Sequence, residues 1–379
     1  MERAEVAIVG AGITGLSIAW HLLKRGFRRV TVYEKTGVGA GASGMQPGGV
    51  RQQWATAVNC LLARDSLAFY RTAAERLGAR VELRFQACGY VFLAHSPDAL
   101  DRLAAAVELQ RGLGVPSRIL SPEEAAELVP GLDAATLAGA SFCAEDGYFD
   151  RPQSVVEAFA EAVVRAGGEI RPAEAVALDA EAGGWTLRLA GGVEARAEQV
   201  VVAAGSDSPA LLATAGVELP IEPEARYLFY SDPIAERLLE PLVVSSERQF
   251  AAKQLADGRV LASHLGATGD PEAHRETWRD HVRACVVELL PRLEFVSLPL
   301  LVEGLYDVTP DHQAIVGPVP GRPGLWIAAG FSGHGFMIAP EVGRTLAARL
   351  AGEDPEAHVT ELAPDRFARG ALVPESSVV

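Results

Sequence analysis

The sequence predicts an α/β chain, α+β overall, in which a parallel-sheet domain is interrupted twice by a second domain of mixed or antiparallel strands. Three observations predict it. The chain opens on a strand, a glycine turn, a helix and a second strand; residues 219–307 are strand-patterned with one helix and little glycine; near the end a strand, a glycine-rich loop and a helix return. A chain of 379 residues also exceeds one ordinary core.

Ala4–Val9 is a nearly continuous apolar run, as a strand buried on both faces requires. Gly10-Ala11-Gly12-Ile13-Thr14-Gly15 follows it, then Leu16, Ala19, Leu22 and Leu23 at helical spacing, with Gly26 as the stop. Val30, Val32 and Glu34 alternate as a second strand and complete a β-α-β unit. A glycine-rich loop runs over 37–49, and the pattern after it predicts one amphipathic helix over about 56–77, stopped by Gly78. Asp150 or Arg151 opens another helix, with Pro152 in its first turn and Val155, Val156, Phe159, Val163 and Val164 on one face. Short strands punctuated by Gly183-Gly184 and Gly191-Gly192 lead to the buried run 200–204 and Gly205. A helix is expected near 278–290, a strand at Leu325–Ala329 and a last helix behind Pro340. The expected division assigns 1–80, 145–215 and 308–369 to a nucleotide-binding domain, 81–144 and 216–307 to a substrate-binding domain, and 370–379 to a loose tail.

Acidic residues outnumber basic ones 49 to 34, a net charge of −15, which disfavours nucleic acid and anionic lipid as partners. No apolar run reaches membrane-spanning length, and the opening residues lack the basic and apolar regions of a secretion signal, so a cytoplasmic location is expected. Cys60, Cys88, Cys143 and Cys285 are scattered as buried thiols are, and neither they nor the eight histidines show metal-ligand spacing. No metal is expected.

Gly10, Gly12 and Gly15 permit a tight turn, close approach of backbone to a pyrophosphate and close packing of helix on strand. Glu34, 19 residues after Gly15 at the end of the second strand, stands where ribose hydroxyls would be bound and disfavours a 2′-phosphate. Both NAD and FAD use such a turn. FAD is favoured because a second loop, Gly39-Ala40-Gly41-Ala42-Ser43-Gly44, follows Glu34 directly, because no second fingerprint offers a nicotinamide site, and because Gly330 to Gly335 precede a helix whose positive end could face a flavin.

These segments, with Arg51-Gln52-Gln53-Trp54, Asp146-Gly147-Tyr148-Phe149-Asp150 and Thr309-Pro310-Asp311, resemble the D-amino-acid oxidase, glycine oxidase and sarcosine oxidase flavoproteins, most of all the sarcosine oxidase β-subunit branch. The resemblance implies a Rossmann-like FAD-binding domain of the glutathione-reductase type. It implies that Gly10, Gly12, Ile13, Thr14, Gly15, Glu34 and Lys35 hold the ADP part, Gly41, Ala42 and Ser43 the pyrophosphate and ribityl side, and Val176 the adenine through its backbone. Gly205 would line the cofactor, and Gly333, His334, Gly335, Phe336 and Met337 its pyrimidine edge. Gln46 and Gly304 stand where relatives carry attachment nucleophiles, so the FAD is expected to be noncovalent.

The implied reaction is hydride transfer from the carbon beside an amine to flavin N5. Arg51 matches an arginine that binds a substrate carboxylate, a role that planar, always-charged guanidinium suits; a loop ion pair or a flavin contact is the alternative. His264 falls at a substrate-side histidine, or is a strand-end histidine, and His334 completes the expected catalytic set. Phe250 replaces a tyrosine. Val260 and Met337 stand where oxidases place lysines, so slow reaction with O2 and preference for another electron acceptor are expected, unless His334 or Lys253 supplies the charge. Three readings follow: an enzyme acting on a secondary or N-substituted amino acid such as sarcosine, proline or an opine; the catalytic subunit of a heteromeric dehydrogenase with a partner subunit; or a flavin-bound assembly or scaffold protein.

Overall fold

The computed structural model describes residues 3–354 and 356–377. Met1 and Glu2 of the first expected segment, Pro355, and Val378 and Val379 of the expected tail lie outside them. Five strands run parallel in the order Glu169–Pro172, Val30–Glu34, Ala4–Val9, Glu194–Val202 and Leu325–Ala329, the arrangement implied for a Rossmann-like domain. Ile315–Pro318 adds an antiparallel edge, and the hairpin Ala175–Glu181 with Gly184–Leu189 joins the first half of Glu194–Val202. The helices Ile13–Lys24, Ala57–Tyr70, Pro152–Arg165 and Gly335–Leu350 bury their apolar faces together on one side of this sheet. The hairpin, with Leu211 and Leu212 of the helix Ser208–Thr214, closes the other side.

A second eight-stranded sheet takes strands from both intervening regions, in the order Leu300–Val308, Glu222–Tyr230, Val260–His264, Phe250–Gln254, Leu242–Ser245, Tyr90–Ala94, Gly139–Cys143 and Arg118–Leu120. Its one parallel pair, Leu242–Ser245 with Tyr90–Ala94, makes it mixed. Side chains alternate across it. Phe229, Phe250, Ala252, Val260 and Ala262 pack on Trp278, Val282, Val286 and Leu289 of the helix Pro271–Leu289. The other face, with Tyr90, Phe92, Val244, Lys253 and Leu261, turns toward the 46–54 loop: the Lys253 ammonium donates to the Pro47 carbonyl, and Tyr90 Oη lies 2.0 Å from where a Cβ on Gly49 would sit.

The structure corrects four expectations. The helix over 56–77 is two, Ala57–Tyr70 and Ala73–Leu77, because Thr72 leaves helical geometry and its hydroxyl bonds back to the Phe69 carbonyl at 3.2 Å. The helix near 278 begins earlier, at Pro271, where the Asp270 side chain accepts the Glu272 N–H at 2.9 Å. The last helix starts at Gly335, with Pro340 inside it. A proline there leaves the Phe336 carbonyl without its helical donor, and the Tyr70 hydroxyl supplies one. Finally, residues 371–377 do not form a loose tail. Val373 N–H donates to Asp311 Oδ2 at 3.3 Å, Glu375 N–H to the Asp311 carbonyl at 3.0 Å, and Glu375 itself is 2% exposed.

Candidate active site

The first glycine turn is shaped by what a side chain would strike. A Cβ on Gly10, whose φ is +109°, would lie 2.3 Å from the Ala203 carbonyl oxygen, and one on Gly15 would lie 2.1 Å from the Gly10 carbonyl oxygen. Both obstacles are backbone, so neither can rotate away. Gly12 caps the helix Ile13–Lys24 without a side-chain bond, and no acidic residue stands in the first turn, which leaves a positive end open to an anion. Ser43 Oγ accepts the Ile13 N–H at 3.0 Å and ties the second loop to this turn. These residues fit a dinucleotide cofactor, since the glycines let the turn pack tightly on strand and helix while the uncapped helix end can receive a pyrophosphate.

Glu34 is partly occupied. Its carboxylate accepts from Ala11 N–H at 2.8 Å, Thr36 N–H at 2.9 Å and Gly37 N–H at 3.3 Å, and a carboxylate's remaining lone pair stays open to a ribose hydroxyl. Lys35 pairs with Asp207 at 2.8 Å, and both are exposed, so the pair bridges the turn to Gly205 with little energetic weight. Val176 occupies the bulge between the Ala175 and Ala177 pairings, where ladder bonding is interrupted. Its exposed position at this bulge suits a backbone contact. Gly41 and Ala42 open a four-residue helix beside Ser43.

The C-terminal glycine loop is held by Asp307, a residue the sequence reading passed over. Its carboxylate accepts the Gly330 N–H at 2.7 Å, and its carbonyl accepts the Ser332 N–H at 3.0 Å. Burial pushes this carboxyl above the usual range. A Cβ on Gly333, at φ +89°, would strike the Tyr306 ring at 2.1 Å. Met337 Cε lies 3.7 Å from the position of a Cβ on Gly49, which brings the two loops together.

Between these loops lies a buried cluster. Arg51 is 0% exposed, its guanidinium stacked 3.6 Å over Trp54 with Phe92 at 5.2 Å. Nη1 donates to the Gln53 carbonyl and Nη2 to the Ser377 carbonyl, whereas Nε has no partner. Among the described residues no carboxylate forms an ion pair with it. His334 lies 4.9 Å from Trp54, 1% exposed, and neither ring nitrogen is hydrogen-bonded. Burial pushes its pKa down to about 4, with Arg51 adding to the depression and Glu375 opposing it, so the ring is neutral at neutral pH.

Asp146, fully buried, explains why Gln52 and Gln53 follow Arg51. It accepts Gln52 N–H at 2.9 Å and Gln53 Nε2 at 3.1 Å, and burial raises it to about 6. Thus Arg51 and His334 come together as expected, but His264 does not join them. It lies on the same face as Phe250 and Val260, stacked on His281 of the outer helix with ring centroids 3.8 Å apart. The inward face of these strands is offset by one residue and presents Lys253 and Leu261 instead. Burial lowers Lys253 to about 7, and its ammonium lies 4.3 Å from the Tyr148 ring centroid.

A sequence profile described as FAD dependent oxidoreductase matches residues 5–349. The glycine oxidase of Geobacillus kaustophilus is 30% identical over 361 residues, 91% of this chain and 92% of that one. FAD-dependent oxidoreductase domain-containing protein 1 of Xenopus laevis is 27% identical over 91% of this chain and 79% of its own. Among solved structures, L-proline dehydrogenase from P. horikoshii superposes with a TM-score of 0.90 at 28% identity, covering 98% of this chain and 100% of that one.

Proposed function

Because the chain belongs to the FAD-dependent oxidoreductase family, we propose that it oxidises the C–N bond of a small amino acid whose nitrogen is secondary or N-substituted. FAD, when bound, supplies the hydride acceptor. One observation carries the substrate class: Arg51 is a fully buried cation with carbonyl partners but no counterion within ion-pair distance among the described residues. A buried charge left in this state is costly, and a substrate carboxylate would offset that cost with a charge-assisted bond. Trp54 and Phe92 hold the guanidinium in place and keep water from it. His334, neutral and with both ring nitrogens free of hydrogen bonds, is suited to hydrogen-bond the uncharged substrate amine rather than to hold its proton.

Neither Gln46 nor Gly304 offers an attachment nucleophile, so the FAD is held without a covalent bond; acid precipitation should leave the yellow colour in the supernatant. The substrate reading is tested by mixing the protein anaerobically with N-methyl, cyclic and D- or L-amino acids and with the corresponding amines that lack a carboxylate, following flavin bleaching. Bleaching as fast with the amines as with the amino acids would remove Arg51 from the mechanism.

A further inference from the structure

We propose that residues 371–377 form a wall of the substrate site, and that Glu375 is a positioning residue which sets Arg51 and Trp54 for a carboxylate. The inference rests on the reading of Arg51 as the carboxylate anchor. The segment is fastened where it leaves the fold by the buried ion pair of Arg366 with Asp311, at 2.8 and 2.9 Å, whose aspartate also receives the Val373 N–H. Glu375 then turns inward. Its carboxylate accepts from Ala55 N–H at 3.0 Å, Thr56 N–H at 3.2 Å, Thr56 Oγ1 at 2.7 Å and Asn59 Nδ2 at 3.1 Å.

Those donors open the helix Ala57–Tyr70, whose own N-cap residue, Thr56, makes no side-chain capping bond. Glu375 thus caps this helix from the far end of the chain and fixes the turn that carries Trp54. The same carboxylate accepts the Ser377 N–H at 2.9 Å, which aims the Ser377 carbonyl at Arg51 Nη2. With the Gln53 carbonyl on Nη1, the guanidinium is pinned at two corners while Nε stays free. Because its own donors hold Glu375, it lends negative potential to Arg51 and His334 without pairing with the guanidinium, which stays available to another anion.

The test compares holoenzyme variants by titrating acetate, and acetamide as its uncharged counterpart, against the flavin absorbance. Glu375→Ala should weaken acetate about 10-fold with acetamide and flavin content unchanged, and Glu375→Gln, which keeps one acceptor oxygen, should recover part of the loss. Ser377→Pro leaves the Glu375 bonds to Ala55, Thr56 and Asn59 in place and removes the N–H through which Glu375 aims the Ser377 carbonyl; it should reproduce the acetate defect, and it decides the matter if Glu375→Ala fails to fold. Arg51→Ala separates the two ways of failing. If it leaves acetate binding unchanged, or the wild-type protein binds no acetate, the anchor reading falls. If Arg51→Ala weakens acetate while Ser377→Pro and Glu375→Ala do not, or weaken acetate and acetamide equally, the segment is mere scaffolding and the inference is overturned.

Discussion

The two halves of the site are built on opposite plans. On the nucleotide side, Gly10, Gly12, Gly15, Glu34 and Ser43 lie within one short stretch, and the Glu34 carboxylate and Ser43 hydroxyl tie down the backbone of the glycine turn through the Ala11 and Ile13 N–H groups. On the proposed substrate side, Arg51, His334 and Glu375 come from distant segments and are almost wholly buried, with Arg51 and Glu375 charged and His334 neutral. The first half is a shape that tolerates no added atoms. The second holds uncompensated charge in a dry place, and its behaviour should therefore depend on protonation and on partners.

Substitutions can sharpen or break this contrast, and the largest effect belongs to the nucleotide side. Gly15→Val places a side chain against the Gly10 carbonyl oxygen, which is backbone and cannot yield, so the purified protein should lose its FAD altogether. Visible absorbance per chain measures this; full flavin content would mean that the cofactor does not use this turn. Next comes Arg51→Ala, which should leave FAD content near normal and cost about 2–4 kcal/mol of carboxylate binding, roughly 30- to 1000-fold. Equal losses of flavin and of carboxylate affinity would erase the distinction between the halves.

The pH prediction is of about 3 kcal/mol and has a definite sign. An unfolded chain binds a proton on histidine near 6.5, the folded one on His334 only near 4, so this contribution to stability is full above 6.5 and is lost as pH falls toward 4. Asp146 works the other way. Its carboxyl takes up a proton near 6 when folded against 3.8 when unfolded, so its contribution is full below 3.8 and is lost as pH rises through 6. The two oppose each other, and the wild-type profile between 4 and 6.5 should be shallow. His334→Asn should gain relative stability on acidification and Asp146→Asn should lose it, as read by denaturant midpoints across that range. Parallel profiles for all three proteins would refute the assignment.

The smallest effect concerns the electron acceptor. With His334 neutral, Met337 uncharged and Arg51 reserved for the substrate carboxylate, Lys253 is an inward cation that can favour reaction with oxygen. Reoxidation of the reduced enzyme by O2 should be slower than by a quinone or dye, should slow further as pH rises through about 7, where Lys253 loses its proton, and should fall about 10-fold in Lys253→Met. Stopped-flow rates that are flat through that pH would exclude Lys253 from the role.

The nucleotide side was legible because glycine spacing reports backbone geometry directly, and the β-α-β unit is local. Arg51 and His334 were reached through motifs on loops beside those turns. What escaped had a physical reason in each case. His264, Phe250 and Val260 share the outer face because strand periodicity is two, and a slip of one residue exchanges the faces. Pro340 reads as a helix start, yet its missing donor to the Phe336 carbonyl is replaced by Tyr70, 266 positions before Phe336. Nothing near Glu375 marks it as buried, since its partners are donors at the opposite end of the sequence.

The bond from Arg51 to Ser377 spans 326 positions, and that distance is also a delay. A ribosome adding about 5–20 residues per second needs roughly 16–65 s to pass from one to the other. Through that interval the nascent chain carries an arginine whose final companions have not yet been made, beside a first β-α-β unit that already has all of its own residues. The order of synthesis therefore presents the glycine turn first and the partners of Arg51 last, and a ribosome-bound chain stalled before residue 371 would lack the Ser377 carbonyl and the Glu375 carboxylate that hold Arg51 and its loop in place.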